Sequence, residues 1–192
     1  RLGESWATAK PNAHLTDVKT GGRAEHPTVF RILREGQNIY IGIRCEEPDV
    51  NTMQIVTRED DDKRILEGDY VSVLLETASY SYYELAVNPA GAVWDADCGD
   101  SGKGAAWDAQ VATHVGKDHW SVEIRLPIAG EGARELDALV GVDGNRPSDT
   151  YPWHFNICRQ RVVDEDAERS AYSPTGEKDF HVLEKVARMW GK

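Results

Sequence analysis

The chain has 192 residues, 40% hydrophobic and 29% charged, with a formal net charge of −11. That length suits one domain with a substantial core. The negative charge argues against nucleic-acid and anionic-membrane partners, which demand a basic face, and favours a neutral or cationic ligand or bound cations. No apolar run approaches the roughly 20 residues needed to span a bilayer. No signal-peptide pattern is visible. The first residue is Arg1 rather than Met, which reads as processing or excision from a longer protein.

Period-two alternation then recurs along the chain. In "PTVFRILRE", Thr28, Phe30 and Ile32 alternate with Val29, Arg31 and Leu33. After a turn at Glu35-Gly36-Gln37-Asn38, Ile39, Ile41, Ile43 and Cys45 share one face. The acidic stretch from Arg58 to Asp62 reads as a solvated loop. "DYVSVLLE" groups Val71, Val73 and Leu75, and the next run groups Tyr83, Leu85 and Val87. Residues 82–97 read as a strand, a Pro-Gly turn and a returning strand. "HWSVEIRLP" sets Trp120, Val122, Ile124 and Leu126 against Ser121, Glu123 and Arg125. Residues 129–140 read as one short helix or turn. "WHFNICR" sets Trp153, Phe155, Ile157 and Arg159 against His154, Asn156 and Cys158, and the stretch from Val163 to Arg169 reads as a second solvated loop. Such alternation means one buried and one wet face, as in antiparallel sheets. At least seven strands with little helical periodicity predict an all-β, antiparallel two-sheet β-sandwich of the jelly-roll or immunoglobulin-like kind, in one domain over 1–192.

Most short motifs carry no chemistry. "GDSG" at Gly99 to Gly102 resembles the nucleophile loop of trypsin-like proteases, but a nucleophilic serine needs a base and an orienting acid. The upstream histidines sit in "NAHLT" and "AEHPT", not in an Ala-His-Cys context. The same stretch fails the phosphate-loop spacing. The six histidines are scattered, with no His-Glu-x-x-His and no Cys-x-x-Cys, so no catalytic zinc motif is legible. Asp95, Asp97 and Asp100 place three carboxylates on one loop, an arrangement suited to a structural calcium ion, with solvated surface acid as the alternative. Among 33 acidic residues no pair stands out for glycoside hydrolysis. Cys45, Cys98 and Cys158 are expected as buried or inert thiols, or as one bridge and a free thiol.

An ordered series of pieces resembles the family 9 carbohydrate-binding modules: "ESWATA", "TVFRILREGQNIYIGIRCEEPD", "GDYVSVLLE", "YYELAVNPAGAVWDAD", "WSVEIRLP", "WHFNICR" and "SAYSPTGEKDFHVLE". The resemblance implies a β-sandwich, often with structural calcium. It also implies non-catalytic sugar binding within a secreted multidomain protein, hence an extracellular, cell-surface or periplasmic location. Known members clamp a terminal sugar between two tryptophans. Here the corresponding positions are Leu66 and Phe180, and other ligand positions correspond to Ser72, Ala86 and Cys158. The scaffold therefore matches while the family's ligand residues mostly do not. Sugar recognition needs an aromatic plate and planar polar groups. Trp94, Trp107, Tyr172 and Phe180 are the candidate plates, and Asn88, Asn156 and Arg159 the candidate polar contacts. Trp6, Trp120 and Trp153 are expected in the core.

Two other readings follow. Related sandwiches hold haem b between Met and His or Lys, and Met53 or Met189 with His154 or His181 could supply such ligands. Alternatively, the departures at Leu66, Ser72 and Ala86 suit a structural domain whose sugar site has decayed.

Overall fold

The computed structural model describes residues 13–78, 81–98, 108–127, 152–163, 166–182, 185 and 187–189. Twelve strands account for most of them: β1 (Ala13–His14), β2 (Thr16–Asp17), β3 (Thr28–Glu35), β4 (Asn38–Glu46), β5 (Tyr70–Ala78), β6 (Ser81–Val87), β7 (Val93–Asp97), β8 (Gln110–Val115), β9 (His119–Pro127), β10 (Trp153–Val163), β11 (Asp166–Ala171) and β12 (Ala187–Met189). The helical elements among the described residues are two 3-10 turns, Val50–Thr52 and Lys63–Glu67. Five strands form one sheet in the order β1-β3-β4-β9-β8. Seven form the other, β2-β11-β10-β5-β6-β7, with β12 also pairing β10. Every ladder is antiparallel. The expected two-sheet β-sandwich is the observed architecture.

The local sequence explains these elements. β-Branched and aromatic residues alternate along β3, β4, β9 and β10, and side chains two apart share a face. Glu35 and Asn38 pair across a two-residue loop. Gly36 there adopts φ 58°, a left-handed conformation that such a tight hairpin needs. Between the sheets, the inward residues of both close a single core. Phe30, Ile41, Ile43, Val71, Val73, Leu85, Trp120, Val122, Trp153 and Ile157 are at most 1% exposed. Each such aliphatic or aromatic side chain contributes about 1.5–3 kcal/mol by leaving water. Trp120 and Trp153 thus sit where the pattern predicts, while Trp6 and residues 129–140 lie outside the described residues.

Two expectations need correction. The stretch Val163 to Arg169 is not simply a loop, because Asp166–Ala171 forms β11. Its polar residues are tolerated because β11 is sandwiched between β10 and the two-residue β2 near the sheet's end. The outer face of the seven-stranded sheet is also not wet. A second apolar cluster covers it, formed by Val18, Ile65, Tyr70, Leu74, Tyr82, Ala86, Ala92, Cys158, Ala171 and Phe180. Ile65 comes from the Lys63–Glu67 turn and Phe180 from the segment after β11, so two connections fold back over the strands.

Candidate functional site

The ladder registers bring the resemblance-implied positions together. Cys158 pairs with Ser72, Ser72 with Ala86, and Ala86 with Trp94. Ala171 continues the row beyond Cys158. These five residues cross the outer face of the seven-stranded sheet in one line, four of them small. Ala171, Cys158, Ser72 and Ala86 are completely buried, and Phe180 is 3% exposed. The floor of the row is thus roofed by the chain itself. Trp94 stays half-buried at the end of the row, on the edge strand, packed against the same cluster as Leu66.

Beside this row lies an open cleft of about 330 Å³, lined by Leu66, Tyr70, Gln160, Arg169, Phe180 and His181, with Lys178 and Asp179 at its rim. That is the small end of the range of ligand clefts. Gln160 builds one wall. Its Nε2 donates to the carbonyls of Leu66 and Gly68, both at 3.0 Å, which fixes the Lys63–Glu67 turn. Its Oε1 accepts from Arg169 Nε at 2.9 Å, which orients the guanidinium along the cleft. Thr175 Oγ1 donates to the carbonyl of Asp179 at 2.7 Å and holds the opposite segment. Burial raises the Tyr70 phenol well above its ordinary value, so it remains a neutral hydroxyl.

Next to His181 on the same face, Glu84 is 1% exposed. Ser72 Oγ donates a short hydrogen bond to Glu84 Oε1. Glu84 Oε2 lies 3.3 Å from His181 Nε2. Tyr82 Oη is 3.0 Å from His181 Nδ1. The bonds to Cys98 and Glu84 raise the imidazole's pKa to about 10 against a smaller desolvation effect.

Several predicted polar contacts serve the scaffold instead. Arg159 lies on the inward face of β10, as its alternation with Trp153 and Ile157 requires. It donates to Thr28 Oγ1 at 3.1 Å, to the carbonyls of His26 and Glu46 at 3.3 and 2.9 Å, and to Glu47 Oε2 at 3.3 Å. A group sealed between two sheets cannot meet a surface ligand. Asn88 is 1% exposed and organises its turn, donating to the Thr57 carbonyl at 2.8 Å and accepting from the amides of Ala90 and Ala92 at 3.1 Å. Asn156 is completely buried and exchanges two 2.9 Å bonds with the Ser173 backbone. Tyr172 stacks on Phe155 at 5.5 Å and packs into the inter-sheet core rather than presenting a free plate. Phe180 is inside the second cluster. Of the proposed plates, Trp94 is half-exposed, and Trp107 lies outside the described residues.

Asp95 and Asp97 pair with Leu85 and Tyr83, on the opposite side of β7 from Trp94, and Asp100 lies outside the described residues. Met53 packs against the inter-sheet core, whereas His154 and His181 lie on the outer side of the other sheet. Met53 and these two histidines thus face opposite sides of that sheet. Met189 belongs to β12, and its side chain lies outside the described residues. Cys45 and Cys158 are buried and Cys98 is exposed, all three as free thiols. Burial pushes the Cys45 thiol up to about 11 and that of Cys158 well above its ordinary value. Of the thiols expected to be buried or inert, Cys45 and Cys158 are thus buried and Cys98 is exposed, and the alternative of one bridge is not formed.

Solved structures with the same arrangement are known. One is a candidate carbohydrate-binding protein from Bacteroides uniformis, with a TM-score of 0.68 at 15% identity, covering 96% of this chain and 87% of that one. A family 9 carbohydrate-binding module from Caldicellulosiruptor kristjanssonii matches in two structures. Its cellotriose complex gives a TM-score of 0.63 at 11% identity, and its glucose complex 0.65 at 9%. Each covers 100% of this chain and 88% of that one. The chain has the fold of a family 9 carbohydrate-binding module. No protein-family model matches its sequence, and no curated protein does either. Within that family 9 fold, the outer face of the seven-stranded sheet is where the resemblance-implied row and the open cleft coincide.

Proposed function

We propose that this family 9-like domain is a non-catalytic carbohydrate-binding module that uses the cleft between the Lys63–Glu67 turn and the 178–181 segment. The observation that carries the reading is the convergence of Leu66, Ser72, Ala86, Cys158 and Phe180, all implied ligand positions, on the face that holds the cleft. Two similar structures hold cellotriose and glucose, which supports an oligo- or polysaccharide as partner. In this chain the sugar-facing chemistry is rebuilt. Arg169, oriented by Gln160, offers a planar fork of donors, Asp179 offers acceptors, and Leu66 offers apolar surface. A cleft this small gives modest affinity. The reading extends to a role in targeting a secreted or cell-surface protein, with neighbouring domains, outside the cytoplasm. No helix among the described residues is long and apolar enough to cross a membrane.

Isothermal titration with a panel of oligosaccharides, together with retention on insoluble polysaccharides, tests the proposal. Binding should weaken about tenfold or more in Arg169→Ala, through loss of a charged hydrogen bond worth about 1.5–3 kcal/mol. No heat with any glycan, with no retention, would overturn it. The same result would favour a scaffold domain with a closed sugar site, a reading supported by the roofed row of small residues. A structural calcium ion belongs to the same proposal, with Asp95 and Asp97 supplying two of the six to eight oxygens such an ion takes. A calcium-dependent rise in melting temperature, abolished by Asp97→Asn, tests it.

A further inference from the structure

Glu84, Cys98 and His181 come from three separate segments, β6, the residue after β7, and the segment that follows Phe180. Their donor atoms all lie within 4.8 Å of one another. We propose that they form a binding site for a divalent transition ion of the zinc class, with three protein ligands and a fourth position open to solvent. This inference stands independently of the carbohydrate reading.

The donor set is the first reason. Thiolate, imidazole and carboxylate together suit zinc, which takes each at about 2.0–2.3 Å in tetrahedral geometry. Calcium and magnesium, which want oxygen alone, do not suit a thiolate. The tetrahedron needs donors about 3.3–3.8 Å apart, and Glu84 Oε2 and His181 Nε2 are already separated by 3.3 Å.

The second reason is the shell around the donors. Metal-binding imidazoles and carboxylates are oriented by hydrogen bonds to their other polar atom. Tyr82 Oη engages His181 Nδ1; with an Nδ1–H donated to that oxygen, an ion that displaces the proton between Nε2 and Glu84 finds the Nε2 lone pair aimed at it. Ser72 holds Glu84 Oε1 and leaves Oε2 for the ion. The Tyr82 carbonyl accepts from the Cys98 amide at 2.7 Å, fixing the third ligand's backbone. Tyr82 thus positions two ligands and Ser72 the remaining one. Glu84 is a carboxylate in a nearly sealed site, and a bound dication would neutralise it. The second trio, Glu25, His26 and Glu168, lacks sulfur, and His26 Nδ1 is already within 2.6 Å of Glu168.

Competition against a chromophoric chelator, using zinc alone and the reduced full chain, tests the site. One equivalent should bind. Cys98→Ser and His181→Asn, at exposed positions, should weaken binding by more than about 100-fold. Tyr82→Phe, which removes only the supporting hydroxyl, should weaken it by about 10–100-fold. His26→Asn should leave it unchanged. Cobalt-loaded protein should show a thiolate charge-transfer band that Cys98→Ser lacks. Circular dichroism checks that each variant folds. Failure of the wild type to bind more tightly than Cys98→Ser, or a cobalt spectrum without the thiolate band, would overturn the site.

Discussion

Replacing Glu47 by Gln should destabilise the sandwich without touching the cleft. The Glu47 side chain is 1% exposed and that of Arg159 3%. Its carboxylate accepts from Arg161 at 2.6 and 2.8 Å and from Arg159 at 3.3 Å. Breaking a buried ion pair by removing one partner costs about 3–5 kcal/mol, because the surviving charge stays in a poor solvent. Here the orphaned Arg159 keeps the Thr28 hydroxyl and two carbonyls, and Arg161 can turn toward water. The expected loss is therefore about 2–4 kcal/mol. At a typical urea dependence of about 2 kcal/mol per molar, the unfolding midpoint falls by about 1–2 M. The sign of the pH effect follows from the same contacts. Burial alone would raise the Glu47 carboxyl, but the Arg161 hydrogen bond and the charges of Arg161 and Arg159 outweigh it and hold it below its ordinary value of 4.5. Its stabilisation is fully present above 4.5 and lost as pH falls through the lower folded value. The wild type should thus lose stability on acidification along a limb that Glu47→Gln lacks. Urea titrations from neutral to acid pH measure both effects. A loss under about 1 kcal/mol at neutral pH, or an unchanged acid limb, would refute the reasoning. A direct loss of glycan binding by the folded variant would refute the placement of Arg159 inside the scaffold.

Thiol labelling of the native protein with a chromogenic disulfide should titrate Cys98 alone, and all three cysteines after denaturation; rapid reaction of two thiols in the native state would contradict the burial of Cys45 and Cys158. Asn88→Ala should cost about 2–4 kcal/mol, since it strands the Thr57 carbonyl and the amides of Ala90 and Ala92. Asn88→Asp, which keeps the acceptor, should fall between the two in chemical denaturation.

How far the sequence could be read depends on which contacts are local. Period-two alternation is a local property, and it located β3, β4, β5, β6, β9 and β10. It also carried the face of each residue. Arg159 alternates in phase with Trp153, Phe155 and Ile157, so its inward position was legible; the family resemblance suggested a ligand role that this phase rules out. Register is not local. Nothing within "DYVSVLLE" or "WHFNICR" says that Ser72 will lie opposite Cys158, yet a slip of one residue would move either to the other face. The row from Ala171 to Trp94, and with it the location of the cleft, appears only once four ladders are aligned. The same holds for coverage. Leu74 and Ser72 look like the wet side of β5, and only the return of Ile65 and Phe180 over the sheet buries them. Glu84, Cys98 and His181 match no ligand-spacing motif because no two of them share a segment. What could have flagged them is chemical rather than periodic: Glu84 sits at an outward position between Tyr83 and Leu85, and a carboxylate fixed under a covered face demands a hydroxyl, an imidazole or a metal. Ser72 and His181 meet that demand in the structure, and Cys98 beside them makes the trio a site that alternation could not have foretold.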